Sequence, residues 1–298
     1  MTQPSPHHRT GLTLAVGAYV FWGFLPLFFR MLRHVPAVEL VGWRVVFTLP
    51  LCLAIVAARG QAADLRAALA DRAVLLRLCA SALLIGANWL LYVIAINTGH
   101  VLAASLGYYI NPLLNVLLGT ILLGERLTRT QWTAVAIAGL GIALLLAGAI
   151  EMLGIALALA VSFALYGLVR KLTPVGSVPG LTIETSVLYL PAIAVVAWQA
   201  RPPAGSSLGH DAGTTIGLLA SGVVTAVPLL LFAVAARRLD LSTLGFVQFL
   251  SPTLAFLLGI FVFGEPLDPV RLGCFMLIWT AIALFSWDML RRRQRAPA

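Results

Sequence analysis

Pro112 to Leu127 reads PLLNVLLGTILLGERL, and Pro252 to Leu267 reads PTLAFLLGIFVFGEPL. An offset of 140 residues matches eight of the sixteen positions, among them Pro112, Gly119, Gly124 and Glu125. Leucine matches come cheaply in apolar sequence. A Pro, two Gly and a Glu at identical spacing do not, so the chain carries an internal repeat. The same offset pairs Leu90 and Leu91 with Leu230 and Leu231, Tyr92 with Phe232, and Ala95 with Ala235.

Working outward, the 298 residues are 60% hydrophobic and 10% charged, with a mean hydropathy of +0.97. A soluble domain carries roughly 25% charged residues, so this composition excludes an ordinary soluble globule. A span needs about 20 mostly apolar residues to cross ~30 Å of hydrocarbon. Ten runs meet that need: Leu12 to Phe29, Val38 to Ala58, Val74 to Ile96, Val101 to Leu123, Trp132 to Gly148, Leu153 to Val169, Leu181 to Trp198, Thr215 to Ala235, Leu241 to Phe263 and Val270 to Leu290. The polar first ten residues and the length of the run after them indicate a retained first span rather than a cleaved signal peptide.

The repeat sets spans one to five against six to ten. An odd number of crossings per unit forces the second unit into the membrane from the opposite side, giving two inverted five-helix repeats in an all-α membrane protein. The expected organisation is a tail over 1–11, a first repeat over 12–148, a second over 149–290 and a basic tail over 291–298. Inverted repeats are a recurrent carrier architecture, with the solute site near the midplane where the units meet. Cytoplasmic loops carry an excess of Lys and Arg. With both termini cytoplasmic, fifteen of the twenty basic residues fall inside and five outside. The net charge of +9 is thus spread over loops by topology, and no nucleic-acid footprint is expected.

At Ala18 to Phe29 (AYVFWGFLPLFF), Asn88 to Tyr92 (NWLLY), Ser105 to Glu125, Leu165 to Lys171 (LYGLVRK) and Ser242 to Gly264, the chain resembles the drug/metabolite transporter superfamily, EamA type, RarD subgroup. The resemblance covers nearly the whole chain. It implies ten helices in two EamA repeats, a bacterial inner-membrane location, and export or facilitated passage of small metabolites. RarD-like proteins are known through chloramphenicol sensitivity, and YddG-like relatives move amino acids, so the expected solute is an amino acid, with a drug-like amphenicol as the alternative.

Polar side chains within a span are costly unless they face the bundle interior or a water-filled cavity. Tyr108, Asn111 and Asn115 share one helical face at i, i+3, i+7, and the repeat mates of the first two are Gln248 and Ser251. Asn88 and Tyr92 share a face of span three, while Trp22 and Tyr166 each precede a Gly in spans one and six. Converging, these would orient a polar head and hold an apolar body. Their bland alternative is structural hydrogen bonding between helices. Pro112 and Pro252, each about halfway through a span, predict a hinge or a static kink.

Gly124 with Glu125, and Gly264 with Glu265, read as helix endings whose Glu sits near the start of the next helix. Arg44 beside Glu39 reads as an interfacial anchor, or alternatively a gate pair. Cys52, Cys79 and Cys274 lie in or beside apolar runs and predict neither disulfide nor metal. The histidines lie in termini or loops and no GxxxxGK loop occurs, so no catalysis, cofactor or nucleotide is expected. A channel is the competing class, although nothing here resembles a filter. Because Glu184 is expected near the cytoplasmic interface and no acid mid-span, uniport is expected, with proton coupling through Glu184 or the Glu39 and Arg44 pair as the runner-up.

Overall fold

Inside hydrocarbon a chain satisfies its backbone only as helix or closed barrel, and runs this long and this poor in turn residues form helices. The computed structural model describes residues 6–98, 100–147, 151, 153–201, 205–264, 266 and 269–295. Ten of its helical stretches are long and apolar enough to cross a membrane. In chain order the helices are α1 (Pro6–Met31), α2 (Ala37–Ala58), α3 (Ala62–Ala70), α4 (Arg72–Asn97), α5 (Val101–Leu122), α6 (Arg129–Ala147), α7 (Leu153–Leu172), α8 (Ser177–Gln199), α9 (Ala212–Arg238), α10 (Leu241–Gln248), α11 (Leu250–Phe261) and α12 (Pro269–Arg295). Ten crossings return the chain to the end of the bundle where it began. That end is called the termini end below, and the other the far end.

Helix neighbours come in repeat-related pairs. α1 packs on α9 as α7 packs on α4, and α5 packs on α7 as α10 and α11 pack on α1. α2 lies against its own mate α8, and α6 against its own mate α12. The two largest buried clusters among the described residues lie around Tyr19, Tyr166 and Phe232 and around Ile110, Phe246 and Phe285.

Three details depart from the sequence reading. The short helix α3 occupies the loop expected between the second and third spans. Span nine is two helices, α10 and α11, broken at Phe249. Pro252 explains the break, since its ring clashes with the carbonyl four residues earlier, that of Gln248. Pro112 occupies the mated position within the unbroken α5, so the same residue breaks one helix and not the other. Finally, α9 starts at Ala212 because Asp211 caps it, accepting from the Thr214 backbone N–H at 2.8 Å and hydroxyl at 2.5 Å. Those two bonds hold the Asp211 carboxyl below its usual range.

Gly124 and Gly264 both take a positive φ, of 66° and 69°, as helix-ending glycines do. Glu125 does not serve the next helix, α6. Its carboxylate accepts from the backbone N–H of Leu241 (2.6 Å) and Ser242 (2.9 Å), capping α10 in the other repeat. Glu265 lies outside the described residues.

Candidate functional site

α1, α2, α4, α5, α7, α9, α10 and α11 surround a cavity of about 240 Å³ where the two repeats meet. Its walls are largely aromatic, with Trp22, Phe29, Trp89, Tyr92, Tyr108 and Phe163 all contributing. Arg44 is the charged residue in the lining, and among the described residues no acid lines it. Most lining positions belong to the middle and far halves of their helices. Toward the termini end an aromatic plug underlies the cavity, where the buried Tyr166 stacks on the buried Phe232 at 5.9 Å and the lining residues Trp22 and Phe163 meet edge-on at 5.7 Å. Below the plug, ties cross between the repeats: Glu125 to α10, Arg77 Nη1 to the Leu172 carbonyl (3.3 Å), and the Ser81 hydroxyl to Glu184.

Of the residues singled out from the sequence, Trp22, Asn88, Tyr92, Tyr108, Gln248 and Ser251 line this cavity, as does Pro252. Asn111, Asn115, Tyr166 and Pro112 do not. Tyr166 is buried in the plug and approaches Glu184. Asn111 is buried between helices, where its Nδ2 donates to the Ala160 carbonyl at 2.7 Å. Asn115 Nδ2 donates in turn to Asn111 Oδ1 (3.2 Å) and to Gln248 Oε1 (2.8 Å).

That relay decides which atom Gln248 offers the cavity. A backbone carbonyl only accepts, so the Asn111 atom facing Ala160 is its NH₂ and its other atom is an acceptor. The Asn115 atom facing that acceptor is then also NH₂, which leaves Gln248 accepting through Oε1 and free to donate through Nε2. By the same logic Asn88, whose Nδ2 donates to the Leu159 carbonyl (2.8 Å) and to Ser162 Oγ (3.0 Å), retains its Oδ1 as an acceptor. A cation, a neutral donor and a neutral acceptor thus share one aromatic chamber.

Two readings are corrected. Arg44 neither snorkels to the interface nor pairs with Glu39. Its Nε donates to Thr225 Oγ1 at 2.9 Å, and its guanidinium lies 5.1 Å from the Trp89 ring centroid. Glu39 instead accepts from Trp43 Nε1 (3.1 Å), from the Ser207 backbone (2.8 Å) and from the Ser207 hydroxyl (2.6 Å), tying α2 to the far-end loop. Nor is Glu184 near the interface. α8 starts at Ser177 rather than Leu181, so Glu184 lies seven residues in, ~10 Å at 1.5 Å per residue. It is buried with Arg170, Nη1 to Oε1 3.5 Å, and the expectation of uniport loses its premise.

Sequence reasoning missed Trp89, Phe163 and Thr225, and it misplaced Arg44. The signal for Arg44 was available in the repeat: an offset of 140 maps Arg44 onto Glu184 and Arg30 onto Arg170, four charges at mated positions.

Comparisons with known proteins agree with this architecture. Residues 9–147 match the EamA-like transporter family. An uncharacterised transporter of Pseudomonas aeruginosa is 42% identical over 97% of this chain and 97% of its own length. Protein RarD of Escherichia coli is 42% identical over 96% of this chain and 97% of its own. A solved crystal structure aligns with a TM-score of 0.72 over 94% of this chain and 98% of its own, at 20% identity, a likeness of fold alone. Ten apolar helices in mated pairs around one central chamber, together with full-length relatives at this identity, place the chain in the RarD subgroup of the EamA-type drug/metabolite transporters.

Proposed function

We propose that the chain is an alternating-access carrier of small organic metabolites, amino acids being the solute class, in the bacterial inner membrane with both termini cytoplasmic. One observation carries the reading: the chamber draws its walls from both repeats and reaches into the far half, with the buried Tyr166 and Phe232 stacked between it and the termini end. A channel needs a continuous path, whereas a carrier needs a site closed at one end at a time. Rocking of one repeat against the other would undo the termini-end ties and close the far half around the solute. The chamber's mixture of donors, an acceptor and aromatic faces supports a solute with a polar head and an apolar body.

The test is a thermal-shift screen of the detergent-purified protein against amino acids, nucleobases and amphenicols, since a ligand that binds the folded state stabilises it by mass action. Amino acids are expected to raise the melting temperature with a saturating dose response. Stabilisation by amphenicols alone would replace the solute class; stabilisation by nothing would remove the carrier reading of this chamber. Orientation rests on the fifteen to five division of Lys and Arg. A periplasmic reporter phosphatase fused after Ala298 is expected to stay inactive, and activity there would reverse it.

A further inference from the structure

We propose that Arg44 anchors a carboxylate on the transported solute, so that the chamber selects monocarboxylates with an apolar body, α-amino acids among them. The proposal rests on the carrier reading of the same chamber and adds to it the group that is recognised and the residue that recognises it.

The repeat provides an internal control. Arg44 lies seven residues past Ala37 at the start of α2, and Glu184 seven past Ser177 at the start of α8, so the two occupy mated depths at opposite ends. At the termini end the charge is met within the protein, because Arg170 reaches Glu184 from α7. The mate of Arg170 is Arg30, a second cation, and it sits 4.8 Å from the Phe263 ring centroid instead. Among the described residues Arg44 has no acidic partner. A cation within a membrane-depth chamber calls for a counter-charge, and here the group left to provide it is the solute.

The guanidinium is also held for the task. Thr225 fixes Nε, while Trp89 and Phe29, at 5.1 and 5.7 Å from the guanidinium carbon, flank the cation. Nε is thereby occupied, and the Nη donors remain for a planar anion. One fixed cation matches one negative charge, favouring a carboxylate over a phosphate dianion and disfavouring a cationic solute. Gln248 Nε2 adds a donor, and Asn88 Oδ1 can accept from an ammonium, so a zwitterion finds both of its heads satisfied.

The experiment pairs each amino acid with its own primary amide, adds 3-phenylpropionate and 3-phenylpropionamide, and titrates the wild-type chain, Arg44→Gln, Arg44→Lys and Thr225→Val by thermal shift in detergent. Wild type is expected to bind acids at least about tenfold more tightly than their amides, the usual scale of a charge-assisted hydrogen bond. Arg44→Gln is expected to abolish that preference, Arg44→Lys to keep part of it, and Thr225→Val, at a lining position, to weaken acids more than amides and so narrow the acid-to-amide ratio. Equal binding of acid and amide by wild type, or an acid preference surviving in Arg44→Gln, overturns the anchor and leaves the carrier reading in place. If neither acids nor neutral solutes stabilise the wild type, both fall. Should Arg44→Gln fail to fold, the wild-type acid-to-amide ratio and Thr225→Val still decide.

Discussion

Glu184→Gln is expected to lower thermal stability by several degrees and to admit water-soluble thiol reagents at the termini end, while the double variant Arg170→Met with Glu184→Leu regains most of the stability. Arg170 and Glu184 are each about 1% exposed, so both charges have left water. Removing one partner of such a pair leaves the other charge buried and unpaired, at a cost of ~3–5 kcal/mol, whereas replacing both with apolar groups is often neutral or better. The pair is also incompletely satisfied, since Arg170 Nε and Glu184 Oε2 lack hydrogen-bond partners. A pair in that condition contributes less than its Coulomb attraction suggests, which is why the double variant should recover. Differential scanning fluorimetry of the three proteins checks the order. A double variant no better than Glu184→Gln would show that the ion pair itself holds the end closed.

Gly245→Val is expected to cost at least about 2 kcal/mol and to abolish solute binding. A Cβ at Gly245 would stand 2.6 Å from the Pro112 carbonyl oxygen and 3.1 Å from Asn115 Cβ. The first obstacle is backbone, so α10 must withdraw from α5, and overpacking of this kind costs ~1–3 kcal/mol before further losses. Withdrawal also stretches the 2.8 Å bond from Asn115 to Gln248, releasing the side chain whose polarity the relay sets. Gly273→Ala is the control. Its Cβ meets nothing within 4 Å on the helix α12, so it should be neutral or slightly stabilising, as Ala is in a helix. Denaturation in mild detergent with a solute-binding assay compares the two. A well-folded, binding-competent Gly245→Val would mean that α5 and α10 need not approach so closely.

The spans were legible because hydrocarbon imposes length and apolarity on every crossing, and the repeat because Pro, Gly and Glu recur at fixed spacing. Tertiary context was not legible. Tyr108, Asn111 and Asn115 share a helical face on paper, yet α7 covers part of that face, so Tyr108 reaches the chamber while the two amides serve the relay behind it. Pro112 and Pro252 carry the same local instruction, and only at Pro252 does the helix break. The four-residue error at the start of α8 moved Glu184 from the interior to the interface, because Pro179 and Gly180 interrupt the apolar run without ending the helix. Arg44 was judged by its sequence neighbour Glu39, although its partners Trp89 and Thr225 come from α4 and α9.

If solute crosses in a site exposed to one end at a time, counterflow reveals it. Proteoliposomes preloaded with an unlabelled solute that stabilises the purified protein are diluted into a trace of the same solute bearing a radiolabel. A carrier returns labelled solute on each inward turn while unlabelled solute drives the outward turn, so a saturable, transient accumulation of label above equilibrium is expected. A monotonic rise to equilibrium without overshoot, accompanied by conductance steps in planar bilayers, would contradict it and identify a channel.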